Sequence, residues 1–88
     1  MVKKEWGFDT LAVHGSEGVD KHTGAVSPPI YQSSTFAFKN AAHGEALFKG
    51  DADGFIYSRL GNPTESCLER EMAFLEGGEA ALAFASGM

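Results

Sequence analysis

Apolar positions along the chain are unevenly placed, and that unevenness organises it. Up to about residue 60, Gly, Ser, Thr and Pro positions recur with no long helical pattern, whereas the periodic apolar part is concentrated after Pro63. Phe8 to Gly15 predicts a short helix with Leu11 and Ala12 or Val13 as its apolar side, Asp9 able to cap it and Gly15 able to end it. One or two turns do not stand alone, so this helix must dock on something. Residues 16–27 are polar and Gly-containing, and read as loop. Ser27-Pro28-Pro29-Ile30-Tyr31 is extended, because each proline disfavours helix before it and fixes its own φ. Gln32 to Phe38 continues extended, with Phe36 and Phe38 on one face. The stretch offers Ile30, Tyr31, Phe36 and Phe38 no partner element of its own, which predicts cover from another subunit or domain.

Asn40 reads as the cap of a second helix over Ala41–Lys49, with Ala42, Ala46, Leu47 and Phe48 as its apolar positions and Gly44 weakening it. Gly50-Asp51-Ala52-Asp53-Gly54 is a turn cluster, and Phe55–Arg59 a short extended run. A third helix runs from Pro63 to about Glu76. Leu68, Met72 and Leu75 give it an i, i+4, i+7 stripe, widened by Cys67 and Phe74, and Gly77-Gly78 stops it. Glu79 to Ala85 is a continuous apolar run of strand length between glycine stops, which predicts a strand buried on both faces of a parallel sheet. Ser86-Gly87-Met88 then stands where an α/β protein turns into its next helix, a place of free N–H groups and positive helix dipole suited to an anion. A single strand has no sheet, so the expectation is an α/β fold of which these 88 residues are a fragment. Residues 1–60 form an N-terminal arm, extended with short helices, and residues 61–88 the opening of a larger α/β domain.

Composition narrows the partners. A net charge of −5 argues against nucleic acid, whose phosphates call for a basic face. No stretch suits a membrane surface or a spanning helix. Met1-Val2-Lys3-Lys4-Glu5-Trp6 has two lysines with no apolar core after them, so it does not read as a signal peptide. One cysteine, Cys67, makes no internal disulfide. A cytoplasmic protein is the expectation.

Candidate chemistry centres on Tyr57-Ser58-Arg59-Leu60-Gly61-Asn62-Pro63-Thr64. Tyr57 carries a hydroxyl donor and Arg59 a permanently charged fork. They fall on one face if the stretch is extended. Gly61 permits an unusual turn, Asn62 can cap the third helix, Pro63 suits its first position, and Glu65 completes a capping-box-like pattern. Two readings stand. A phenol beside a guanidinium suits an oxyanion such as phosphate or carboxylate; equally, Arg59 pairs with a local acid and Tyr57 packs. Other chemistries lack their motifs. His14, His22 and His43 have no metal-ligand spacing. There is no P-loop, G-x-G-x-x-G or G-x-S-x-G pattern. Cys67 lies on the apolar side of the third helix and reads as packing.

The order of Ser27-Pro28-Pro29-Ile30-Tyr31-Gln32-Ser33-Ser34-Thr35-Phe36, Tyr57-Ser58-Arg59 with Asn62-Pro63-Thr64, Leu75-Glu76-Gly77-Gly78, and Ala85-Ser86-Gly87-Met88 closely resembles the N-terminal part of the pyridoxal-phosphate enzymes of cysteine and methionine metabolism. The wording is nearest to the methionine γ-lyases and homocysteine-forming sulfhydrylases within that family. The resemblance implies the first helix and strand of a fold type I transferase large domain, with pyridoxal 5'-phosphate as cofactor. It implies elimination or replacement at Cγ of methionine, cystathionine or an O-acylhomoserine. It implies a homo-oligomer, at least a dimer and by family habit a tetramer, whose arm wraps over a partner subunit so that Ile30, Tyr31, Phe36 and Phe38 are covered. The positions of Tyr57 and Arg59 match a Tyr and Arg that reach across the dimer interface to a neighbour's cofactor phosphate. Gly87 and Met88 match a pair whose N–H groups hold the chain's own. The family's catalytic lysine lies downstream of these motifs, and none of Lys3, Lys4, Lys21, Lys39 or Lys49 sits in its motif. A rival expectation follows from that: a non-catalytic truncated or split chain whose arm only docks on a partner.

Overall fold

Three helices carry the regular structure: α1 (Phe8–His14), α2 (Ala41–Lys49) and α3 (Pro63–Glu76). The computed structural model describes residues 6–15 and 18–88, so the segment before Trp6 and the Ser16–Glu17 part of the first loop lie outside the described residues. The chain divides into two units, Met1–Ile30 with Thr64–Met88 and Tyr31–Pro63.

In the first unit, α1 begins after Gly7, not at a capping Asp9. Asp9 sits inside the first turn, where its charge faces the positive end of the helix dipole. Gly15 ends the helix as expected, its N–H donating to the Leu11 carbonyl at 2.7 Å. Glycine is required here twice over. Its φ is +72°, and a Cβ would lie 2.8 Å from Oε1 of Glu71 on α3. The α1 terminus therefore meets α3 at close range. Ala12, Val13, Gly15, Pro28, Cys67 and Glu71 line a groove of about 260 Å³.

Residues 20–25 fold into a tight loop around one carboxylate. Asp20 Oδ2 accepts from the N–H of His22 (3.1 Å) and from both the N–H and the hydroxyl of Thr23 (2.8 Å each). The loop closes through Asp20 N–H to the Ala25 carbonyl at 2.9 Å and Gly24 N–H to the Asp20 carbonyl at 2.8 Å. The Thr23 hydroxyl and then its N–H favour the ionised form and hold the Asp20 carboxyl below its ordinary value. A lowered folded pKa means that the carboxylate supports this loop above the ordinary aspartate value of 3.8 and ceases to do so as pH falls through the lowered one. The amide resonances of His22 and Thr23 are therefore expected to keep their folded positions at pH 5 and to move only below 3.8. Movement centred at or above that value would contradict the assignment.

The third helix starts at Pro63 and closes with a Schellman motif. Gly77, at φ +69°, donates to the Phe74 carbonyl and Gly78 to the Ala73 carbonyl at 2.8 Å. The expected apolar stripe is only partly covered. Cys67, Phe74 and Leu75 are half-buried, but Leu68 and Met72 are 53% and 43% exposed. Cys67 and Glu71 line the groove near α1 instead, and the Glu69 carboxylate accepts from the Ala83 N–H at 2.9 Å. The run Glu79–Ala85, expected as a buried strand, forms no ladder among the described residues. A strand is made by its neighbours, and among the described residues none runs beside this one. Half-buried Ala81 and Ala83 alternate with exposed Ala80, Leu82 and Phe84, which keeps a strand's period of two.

In the second unit, α2 is capped at Asn40 as its sequence predicts, and at its other end by Gly50 of the turn cluster. Asn40 Oδ1 accepts from His43 N–H at 2.8 Å, and His43 Nδ1 accepts from the N–H of Lys39, one residue before the cap, at 3.0 Å, a variant of the capping box with His in the usual Glu position. Gly50 lies in the left-handed region and closes a second Schellman motif, with Asp51 N–H on the Ala46 carbonyl at 2.8 Å. Phe36 and Phe38, expected to lack partners, find them here. Phe36 packs on Phe55 at 5.7 Å between centroids, and Phe38 meets the edges of Phe48 and His43 at 6.2 Å each. Ile30, which belongs to the first unit, does stay 75% exposed.

Gly44, which weakens α2 by propensity, has a packing reason. It is buried, and a Cβ there would lie 2.6 Å from Cδ2 of Phe38. Gly44→Ala would gain up to about 1 kcal/mol of helix propensity but drive the ring off its contacts, an overpacking cost of about 1–3 kcal/mol. The net expectation is a loss of about 1 kcal/mol, read as roughly fivefold faster hydrogen exchange at α2 amides. Slower exchange would mean that propensity wins and the Phe38 contact is soft.

Candidate functional site

The Tyr57–Arg59 turn is built on a short antiparallel contact between residues far apart in sequence. Phe36 N–H donates to the Ile56 carbonyl at 3.1 Å and Ser58 N–H to the Ser34 carbonyl at 2.8 Å, which sets Thr35 opposite Tyr57. The bonds flank that pair, so it is the close, non-hydrogen-bonded kind. After Tyr57 the chain turns rather than running on extended. The Tyr57 carbonyl accepts from Leu60 N–H at 2.8 Å and Gly61 N–H at 3.1 Å. The expected alternation of Tyr57 and Arg59 along a strand is thus replaced by a turn that still brings them together. The Arg59 guanidinium carbon lies 4.9 Å from the centre of the Tyr57 ring, within cation–π range. Gly61 does not use a left-handed backbone; a Cβ there would make ordinary contact with Phe55 at 3.6 Å.

Electrostatics separate the two readings of this pair. Among the described residues, the ion pair is Lys49–Glu45 on α2, and Arg59 has no carboxylate within salt-bridge reach. Arg59 is exposed and Tyr57 half-buried. A guanidinium stacked on a phenol, with its charge unmatched among the described residues, is suited to a doubly charged oxyanion.

Asn62 does more than precede the helix. It is 9% exposed, and its amide nitrogen donates to the Tyr31 carbonyl at 3.0 Å and to the Ser58 hydroxyl at 2.8 Å. The Ser58 hydroxyl in turn donates to the Ser33 carbonyl, and the Ser33 hydroxyl to the Thr35 carbonyl at 2.6 Å. The sequence signal was an Asn before a Pro, which speaks of a helix cap. Nothing in it speaks of a partner thirty-one residues back.

Gly87 and Met88 belong to the first unit. A Cβ on Gly87 would meet nothing within 4 Å, and both residues are exposed. Met88 N–H rests on the Ser86 hydroxyl at 3.3 Å, a long contact that an incoming anion can replace. No group of three His, Cys, Asp or Glu residues gathers among the described residues, and none of the described helices is long and apolar enough to cross a membrane. Within the second unit, a guanidinium stacked on a phenol is a donor pair whose chemistry fits a phosphate.

A family model described as Cys/Met metabolism PLP-dependent enzyme matches residues 9–88. An L-methionine gamma-lyase of Pseudomonas putida is 51% identical over 82 residues, which are 93% of this chain and 21% of that protein. An O-acetyl-L-homoserine sulfhydrylase of Corynebacterium glutamicum is 47% identical over 83 residues, 94% of this chain and 19% of that one. Among solved structures, a Campylobacter jejuni protein assigned as an O-acetylhomoserine (thiol)-lyase, containing N'-pyridoxyl-lysine-5'-monophosphate, matches with a TM-score of 0.73 and 39% identity. That match covers 85% of this chain and 18% of the other. The chain therefore spans about a fifth of the length of the curated relatives it matches.

Proposed function

This chain belongs to the Cys/Met metabolism PLP-dependent enzymes, whose cofactor is pyridoxal 5'-phosphate, and from that premise we propose that the complete protein eliminates or replaces a group at Cγ of a sulfur-containing or O-acylated amino acid. Its fold is that of a segment of the large domain of such enzymes. Methionine and an O-acylhomoserine are the substrates of choice, because the relatives named above include both a methionine lyase and an acetylhomoserine sulfhydrylase. The bound cofactor supplies an electron sink for bond breaking next to the amino group. What this chain adds is grip on the phosphate. Arg59 presents its fork, Tyr57 its hydroxyl, and Gly87 and Met88 their N–H groups.

The two halves of that grip are proposed to come from different subunits, so the working site needs at least a dimer. In this reading residues 1–60 act as an arm over the partner, and residues 61–88 open the cofactor domain. Exposed Ile30, Leu68, Met72, Leu82 and Phe84 support it, since each is apolar surface awaiting cover. The single observation that carries the phosphate assignment is Arg59 stacked on Tyr57 with no carboxylate beside it among the described residues. Its test is the cofactor affinity of the Arg59→Ala form of the complete protein. Weakened binding of pyridoxal 5'-phosphate with unchanged binding of pyridoxal supports the reading, and unchanged binding of both overturns it.

A further inference from the structure

The strongest structure around the candidate site is the hydrogen-bonded pin behind it. We infer that Asn62 and Ser58 are positioning residues that fix the Tyr57–Arg59 turn in the geometry that grips the cofactor phosphate; the inference rests on the phosphate reading of Tyr57 and Arg59.

Four observations carry it. Asn62 is the buried polar residue of its unit, and both bonds of its amide nitrogen reach outside the helix it precedes. Ser58, the middle residue of the triplet, accepts from Asn62 and donates to the Ser33 carbonyl, while its N–H donates to the Ser34 carbonyl. The residue between Tyr57 and Arg59 is thereby tied at side chain and backbone to segment 31–34. Arg59, by contrast, is exposed and held only by the Tyr57 ring among the described contacts. An exposed arginine has many rotamers, so the entropy cost of placing its fork falls when the turn beneath it is rigid.

A chain of this kind acts as a unit, and its two Asn62 bonds are part-buried, where a lost partner costs most. Ser58 without its hydroxyl takes away one acceptor of the Asn62 amide nitrogen, and Asn62 without its amide breaks the bonds to both Ser58 and the Tyr31 carbonyl. The side chain at 58 needs a hydroxyl, and threonine supplies one. A purely structural pin would loosen the whole site, whereas a positioning pin loosens what Tyr57 and Arg59 hold.

The experiment uses the complete protein and two probes, pyridoxal 5'-phosphate and pyridoxal, which lacks the phosphate. Ser58→Ala, Ser58→Thr, Asn62→Ala and Arg59→Ala are titrated with each. Ser58→Ala and Asn62→Ala are expected to bind pyridoxal 5'-phosphate about tenfold more weakly while binding pyridoxal within about twofold of the parent, with Ser58→Thr restoring most of the loss. If Asn62→Ala fails to fold, the Ser58 pair carries the test alone. Equal weakening of both probes would reduce the pin to a structural role. Full phosphate affinity in Ser58→Ala beside weak affinity in Arg59→Ala would sink the positioning role and leave the phosphate reading intact. Full affinity in Arg59→Ala would take down the phosphate reading and the inference with it.

Discussion

The Arg59→Ala form of the complete protein is expected to hold pyridoxal 5'-phosphate about 10- to 100-fold more weakly than the parent, because a hydrogen bond to a charged group is worth about 1.5–3 kcal/mol. The size follows from what is removed. The guanidinium is exposed and has no carboxylate in salt-bridge reach among the described residues, so in the proposed site its charge and two parallel donors go to the ligand. Its stacking on Tyr57 at 4.9 Å also disappears, which leaves the phenol without its cover. Arg59→Lys keeps the charge but not the planar fork and should fall between the two. Raised salt should narrow the gap between parent and variant, since the lost contact is ionic and partly exposed. Spectroscopic titration of the cofactor at two ionic strengths reads all three forms. Equal affinity in parent and Arg59→Ala would move the phosphate elsewhere.

How far the sequence reaches is clearest at the helix ends. Asn40, Pro63, Gly77 and Gly78 sit where they were expected, and Gly50, read only as part of a turn cluster, caps α2, because caps and Schellman turns are settled by residues within one turn of each other. Tyr57 and Arg59 were legible as a pair by their chemistry, but a turn and not the expected extended spacing brings them together. What was not legible depends on distant partners. The fit of Phe38 over Gly44 turns a poor helix residue into a packing one. The reach of Asn62 to Tyr31 joins residues that no periodicity connects. Helical spacing showed that Leu68 and Met72 share a face but not what covers it, and within these residues they are left exposed. The run Glu79–Ala85 has the composition of a buried strand, yet a strand's burial comes from neighbours on both sides, which the local sequence does not contain.

The sharing of the site between subunits makes the other large prediction, and it is one that a cis arrangement cannot imitate. In the proposed dimer each phosphate is met by Gly87 and Met88 of one chain and by Tyr57 and Arg59 of the other. Gly87→Pro removes one N–H donor and should weaken the cofactor on its own, as Arg59→Ala does. Neither homodimer then keeps an intact site. When the two variants are mixed and allowed to exchange subunits, every mixed dimer regains one site with both halves unaltered, and its second site carries both defects. With random exchange, half the dimers are mixed, so about a quarter of all sites should recover parental affinity. Recovered sites can be counted by the cofactor retained on a desalting column at a concentration where neither variant holds it alone. No recovery after demonstrated exchange would place Arg59 and Gly87 at separate sites or in one chain's own site, and the phosphate would then not be shared between subunits.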